Sequence, residues 1–252
     1  MHTNRPFAGV VAIIASFVVG LAQGEAADPV KISTFAPMKD VVSQLDYFVG
    51  RIEKDLEDGE EFGEAEQKRV GLDASTVAVL SLMLGMHDEA GDLKKSASKL
   101  AELAATLAEN SEDHEAASKT LAEIKTAIKN KPEGEPLTWD EPVADLAMLM
   151  QQVPIVNDGV RRAVNDKRRF SRNAARNAPR AVTLAAIAQA SLMDTTYCGD
   201  EEDEKEWKAI CADMRDACAD VYKALIAKDQ DKAKEANARV VKSCDACHDR
   251  FR

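Results

Sequence analysis

The chain has 252 residues, 31% of them charged, a formal net charge of −11 and only 5% aromatic residues. That length allows one large domain or two of ordinary size, and so acidic a chain lacks the basic surface that a nucleic-acid backbone demands. The charge is uneven: residues 25–135 hold 13 basic and 24 acidic side chains, whereas residues 136–252 hold 19 and 20. Alanine, leucine, lysine and glutamate dominate, no alternating strand pattern of useful length occurs, and Gly and Pro cluster instead of recurring as regular turns.

The first residues read as an export signal: Arg5, an apolar run from Phe7 to Ala22, then small residues through Ala27, with a cleavage site at Ala22-Gln23-Gly24. A membrane anchor is the rival reading, but spanning hydrocarbon takes about 20 apolar residues and this run is shorter. The expectation is a signal peptide over residues 1–24, export to the periplasm in a bacterium, and a mature chain without a membrane span. No other segment reads as apolar enough to cross a bilayer.

Helical spacing predicts four helices near residues 36–57, 62–86, 90–109 and 112–130. The first buries Val41, Leu45, Phe48, Ile52 and Leu56, and the third Leu93, Leu100, Leu103 and Leu107. The stretch "NKPEGEPL", residues 130–137, then breaks the pattern with two prolines and a glycine. Four more helices follow near 141–166, 172–193, 202–228 and 230–250, the third striped by Trp207, Ile210, Met214, Ala217, Val221 and Leu225. Sliding the halves by 105 residues superposes Pro37 on Pro142, Asp40 on Asp145 and Val77 on Val182, so the first half reads as a degenerate repeat of the second. The expected architecture is all-α: two antiparallel four-helix bundles in tandem, residues 25–131 and 137–252.

The chemistry sits in the ending "VVKSCDACHDRFR". Cys244, Cys247 and His248 are at i, i+3 and i+4, on one face of a helix. Cys-x-x-Cys-His is the attachment signature of a covalent haem, two thiols for the vinyl groups and an imidazole for the iron. A structural zinc site needs four ligands, commonly in paired spacings, and Cys198, Cys211 and Cys218 form no second Cys-x-x-Cys. A thioredoxin-type pair belongs at a helix start after a strand, whereas this one closes a helix of a strandless chain. One covalent haem c is therefore expected, held in the second bundle.

Cys244, Cys247, His248, Phe251 and Arg252, as Cys-x-x-Cys-His-x-x-Phe-Arg, resemble the ending of the cytochrome c prime family of exported four-helix bundles. The resemblance covers roughly residues 137–252 and is specific only in this last turn and a half. It implies thioether bonds at Cys244 and Cys247, His248 as axial ligand, Arg252 on the proximal side, and a homodimer. It also implies that the opposite haem face is covered by the first helix of that bundle, here "WDEPVADLAMLMQQVPIV", with Asp140 as N-cap and Pro142 in the first turn.

On that helix Met150 shares a face with Val143, Leu146, Leu149 and Val153, while Met148 lies nearly opposite. Ligation by Met150 implies one-electron transfer with a periplasmic redox partner. Coverage by Val153 or Leu146 leaves an open position for a small gas, NO or CO. The helix offers no polar group for peroxide chemistry, so no enzyme is expected. Pro154 is expected to kink it, and no basic residue lies between Asp140 and Val160.

Of the remaining cysteines, Cys198 and Cys211 are expected to pair as a disulfide in an oxidising compartment, leaving Cys218 over. The run "RRAVNDKRRFSRNAARNAPR", residues 161–180, carries eight Arg or Lys against one Asp. It reads as a solvated helix face or as a docking surface for an acidic redox partner. His87 and His114 show no ligand spacing and read as surface or helix-end residues.

Overall fold

A computed structural model describes residues 30–251, and the expected signal peptide and Arg252 lie outside the described residues. The described chain is all-α and contains no strand. Its helices are α1 (Met38–Asp55), α2 (Glu64–Met86), α3 (Ala97–Glu109), α4 (His114–Asn130), α5 (Leu146–Asn165), α6 (Lys167–Ser191), α7 (Glu201–Ala227) and α8 (Gln230–Phe251), with short 3-10 turns at Ile32–Thr34 and Lys94–Ser96.

Local chemistry fixes most of the boundaries. Asp113, Asp145, Asp166 and Asp200 each stand just before a helix and accept hydrogen bonds from the free backbone N–H groups of its first turn. The cap of α5 is thus Asp145, not the expected Asp140. Pro142 disfavours helical dihedrals at Glu141, and the helix starts only where the Asp145 carboxylate can accept from Met148 N at 2.9 Å. Likewise α6 begins at Lys167 instead of residue 172, because Asp166 caps it directly after α5. The helix expected from residue 90 begins at Ala97, after the 3-10 turn.

Within α1–α4 and within α5–α8 each helix packs on the next, α1 returns to α4, and α5 returns to α8. The expected apolar stripes are the buried ones: Val41, Leu45, Phe48, Ile52 and Leu56 on α1, and Trp207, Met214, Ala217, Val221 and Leu225 on α7. Ile210 is only half-buried.

The seam between the halves is as dry as the halves themselves. α2 meets α5 and α6, α1 meets α6, and one continuous apolar core runs from Ile32 to Val240. Hydrogen bonds cross it: Thr183 Oγ1 on α6 donates to Gln44 Oε1 on α1 at 2.8 Å in the buried interior, and half-buried Tyr222 on α7 donates to Asp40 on α1 at 2.6 Å. A Cβ at Gly71 of α2 would stand 2.8 Å from Met148 Cε of α5, so glycine there lets the two helices meet. Residues 131–145 form no helix but are held down: Gly134 N donates to Lys95 O at 2.9 Å, and Leu137 lies over Gly85.

One expectation is corrected here. α2 is long and apolar enough to cross a membrane by length and composition, yet 83% of its apolar window is buried inside the fold. It is apolar all round because other helices cover it on several sides, as a central core helix requires.

His87 also differs from expectation. It ends α2 as foreseen, but it is fully buried, with Nε2 2.8 Å from Ala36 O and Nδ1 accepting from Glu89 N at 3.0 Å. That pairing suits the neutral ring protonated on Nε2. His114 opens α4 with Nε2 3.0 Å from Leu56 O and its ring edge-on to Phe62. Both rings stitch loops to the core.

Candidate functional site

Helix directions bring the motif to one pole of the second half. Gln230 at the start of α8 donates to Val164 O near the end of α5 at 2.7 Å. At the other end, Cys247 and Phe251 of α8 pack with Leu146 and Met150 at the start of α5. The two helices are therefore antiparallel, and the last two turns of α8 face the first two turns of α5. α7 enters the same pole through Trp207, whose Nε1 donates to Ser191 O at the end of α6 at 2.8 Å.

The result is a small apolar cluster separate from the main core. Leu146, Trp207 and Cys211 are buried at its centre, and Met150, Leu192, Cys198, Cys247 and Phe251 pack around them. The Trp207 and Phe251 rings meet edge to face, centroids 5.3 Å apart, a favourable aromatic geometry. Arg250 fastens the end of α8 by pairing with Asp203 and, at 3.2 Å, with Glu206, both near the acidic start of α7.

Cys244 and Cys247 are half-buried, and Cys244 packs against the main core. Burial, the largest cause, raises both thiols above their ordinary range, because an apolar surrounding disfavours the thiolate. His248 is exposed. Arg252 lies outside the described residues, so its expected place beside His248 is not described.

The residues proposed from sequence to cover a haem divide between two clusters. Leu146 belongs to the small cluster, Val153 to the main core, and Met150 packs against both. Met148 turns the opposite way, toward Gly71 of α2. Pro154 lies within α5 without ending it. A small cavity of about 10 Å³ lies beside Pro142, Leu146 and Leu149.

The donor set fits a covalently attached haem: two half-buried thiols three residues apart, an imidazole one residue further, and an apolar wall with one thioether. The wall is packed, with Met150, Cys247 and Phe251 set against Leu146 and Trp207, so a macrocycle entering there would part the end of α8 from α5 and α7. Among the described residues no group of three His, Cys, Asp or Glu side chains is arranged to hold a bare metal ion.

Sequence reasoning brought Cys198 to Cys211 but missed that both gather beside Cys247 at this pole. Cys211 is buried in the small cluster, with Cys198 and Cys247 packed around it, and its thiol is pushed up to about 12, chiefly by burial. Cys218, two turns along α7, is fully buried in the main core against which Cys244 packs. The seven-residue spacing of Cys211 and Cys218 was the available signal, because it puts both on one face of α7. None of the five cysteines is joined to another in this structure, the expected Cys198–Cys211 pair included.

The basic run lies at the other pole. Arg161, Arg162 and Arg169 line an open cleft of about 550 Å³ with Asp158, Asn165 and Asp166 around the turn from α5 to α6. Asp158 pairs with Arg161 and Arg162, and Asp166 lies 3.9 Å from Arg169. That pole is where α8 begins, and α8 runs about 30 Å, at roughly 1.5 Å per residue, before it reaches its end beside Leu146. A partner docked on the basic run would sit a helix length from the Cys-x-x-Cys-His motif.

No protein-family model matches the chain, and no curated protein or solved structure matches it either.

Proposed function

We propose that this chain is an exported, periplasmic monohaem c-type cytochrome that transfers single electrons, with α5–α8 as a cytochrome c prime-like four-helix bundle and α1–α4 as a second bundle in tandem. Cys244 and Cys247 are assigned to the thioether bonds and His248 to the iron. The observation that carries this reading is that both thiols of Cys-x-x-Cys-His lie half-buried, Cys247 against the apolar wall at the start of α5 and Cys244 against the main core. A haem bound there supplies the one-electron ferric/ferrous couple.

The chain's own residues do the rest. Leu146, Trp207 and Phe251 exclude water, and Arg250 holds the helix end by its acidic partners on α7. Met150 is the one thioether on the face of α5 that meets the small cluster, and it is assigned as the sixth ligand. Leu146 and Val153, one turn to either side of Met150, favour a second reading in which apolar side chains cover the iron and a small gas binds. Neither reading gives the wall a proton donor, so no enzymatic step is assigned.

The test is the visible spectrum of the ferrous protein, expressed with haem-attachment machinery and recorded before and after CO. A low-spin spectrum indifferent to CO supports ligation by Met150 and electron transfer. A high-spin spectrum that CO changes moves the reading to gas binding, and absence of haem absorption removes both.

A further inference from the structure

Three thiols from three separate segments meet in the small cluster at the motif pole. Cys211 comes from α7, Cys247 from α8, and Cys198 from the loop between α6 and α7. Cys211 is buried at 6% exposure, whereas Cys198 is partly exposed. Cys198 stands in a turn, its N–H donating to Thr195 O at 2.9 Å, and the adjacent Gly199 N–H donates to Asp203 at 3.0 Å. The loop thiol thus has two partners within its packing cluster, one of which is a haem-attachment cysteine.

Either neighbour of Cys247 can pair with it. Helices lying side by side have axes about 8–10 Å apart and Cα atoms about 2.3 Å from each axis, so facing Cα atoms come within the roughly 4.4–6.8 Å that a disulfide needs. Cys211 of α7 and the loop thiol of Cys198 both pack in the cluster that holds Cys247. Cys218 is fully buried and sits two turns beyond Cys211, away from the loop.

We propose that Cys198 and Cys211 form a disulfide that keeps both of these thiols from capturing Cys247, and so guards Cys247 for haem attachment. This rests on the assignment of Cys247 as a thioether residue. The co-reactant is an external disulfide, from a small molecule or an oxidising dithiol protein. The Cys198 thiolate attacks one of its sulfurs, and one thiol leaves. Cys211 sulfur then displaces the second thiol from Cys198 Sγ. The chain's two thiols lose two electrons and two protons, and the external disulfide becomes two thiols.

The guarding role gives a genetic prediction. Removing Cys211 leaves Cys198 free beside Cys247, removing Cys198 leaves Cys211 free beside it, and in either case a disulfide to Cys247 then competes with haem. Removing both leaves no competing thiol in the cluster.

The experiment uses the full chain, exported with haem-attachment machinery, alkylated under denaturing conditions without reductant and mapped by mass spectrometry, with haem content measured alongside. The wild type should show Cys198 joined to Cys211 and Cys218 alkylated. Cys211→Ala should lower haem content several-fold, with a Cys198–Cys247 disulfide in the colourless fraction. Cys198→Ser should lower it likewise, with a Cys211–Cys247 disulfide, and the double variant Cys198→Ser/Cys211→Ala should carry wild-type haem. Alkylated Cys198 and Cys211 in the wild type would overturn the disulfide. Undiminished haem in Cys211→Ala, or equal loss in Cys211→Ala and the double variant, would overturn the guarding role. A colourless wild type that still maps as Cys198–Cys211 would strike the haem assignment and leave the disulfide standing.

Discussion

Gln152 on α5 donates its Nε2 hydrogen to Asp73 Oδ1 on α2 at 2.9 Å, and both side chains are fully buried where the two halves of the chain meet. Asp73 Oδ2 and Gln152 Oε1 have no hydrogen-bond partner. Arg51 Nε stands 3.1 Å from Oδ2 as a counter-charge without the alignment of a hydrogen bond. One proton on Oδ2, donated to Gln152 Oε1, would satisfy both orphaned oxygens and close a reciprocal acid–amide pair.

The titration of Asp73 follows from that setting. Burial pushes its carboxyl up from 3.8 to about 6, opposed by the Arg51 charge and the Gln152 hydrogen bond. A carboxyl raised on folding binds its proton more tightly in the folded chain, so its contribution to stability is greatest below the unfolded value and is lost as pH rises through about 6. The expected size is roughly 3 kcal/mol. Asp73→Asn keeps the reciprocal pair at every pH, so its stability relative to wild type should improve by about that amount between pH about 4 and about 7. Denaturant midpoints of both proteins across that range check this; a constant difference would show that Asp73 does not titrate there.

Trp207 joins the ends of three helices, by its hydrogen bond to Ser191 O and its edge contact with Phe251. Trp207→Phe should keep the contact and lose the hydrogen bond, leaving the Ser191 carbonyl only the Asp194 N–H at 3.2 Å, at a cost of about 0.5–1.5 kcal/mol. Trp207→Ala should cost about 3–5 kcal/mol and loosen the end of α8. Chemical denaturation gives the energies, and amide exchange over residues 244–251 reports the loosening.

The shared core predicts how the chain responds to division. Removing residues 25–135 strips α1 and α2 from α5 and α6, exposing fully buried Gln152, Val182, Thr183 and Ala186 and breaking the Tyr222–Asp40 bond. The fragment 137–252 should melt well below the full chain and expose apolar surface, measured by circular dichroism and dye binding. A fragment melting with the full chain would mean the seam contributes little.

Much of this arrangement was legible in the residues. Where a helix buries one stripe, as in α1, α3 and α7, the spacing of Leu45, Leu103 or Trp207 located both element and core face. α2 was also located as a helix near 62–86, but its apolar length was underrated: a helix buried on nearly every face matches a membrane span in length and composition, and only its neighbours tell the two apart. Asp140 and Asp145 are equally good caps by type, and the choice fell to the restriction that Pro142 places on the residue before it. Cys244, Cys247 and His248 declared themselves because their spacing is local. The approach of Cys198 and Cys211 to Cys247 depends on a loop path and a helix register, which no local spacing encodes.

The position of the basic run gives a further prediction. Arg168, Arg172 and Arg176 are exposed, at the pole away from the motif, and have no ion-pair partner among the described residues. Replacing all three by Glu should change stability by only about 0.5 kcal/mol per site and leave the ferrous spectrum as in wild type. A changed spectrum would show that this pole communicates with the motif.

Met150 is placed to test the sixth ligand. Met150→Ala should turn a low-spin, CO-indifferent ferrous spectrum into a high-spin one that responds to CO. An unchanged spectrum would make Met150 a packing residue and leave Leu146 and Val153 over the iron.

The most direct test of the central claim is whether haem stays with the chain after unfolding. The exported protein should be denatured in detergent and separated, and the iron-porphyrin absorbance read on the polypeptide itself, in wild type and in Cys244→Ala/Cys247→Ala. Haem migrating with the wild-type chain and lost from the double variant is the predicted result. A colourless wild-type chain, produced where a control c-type cytochrome matures normally, would contradict it.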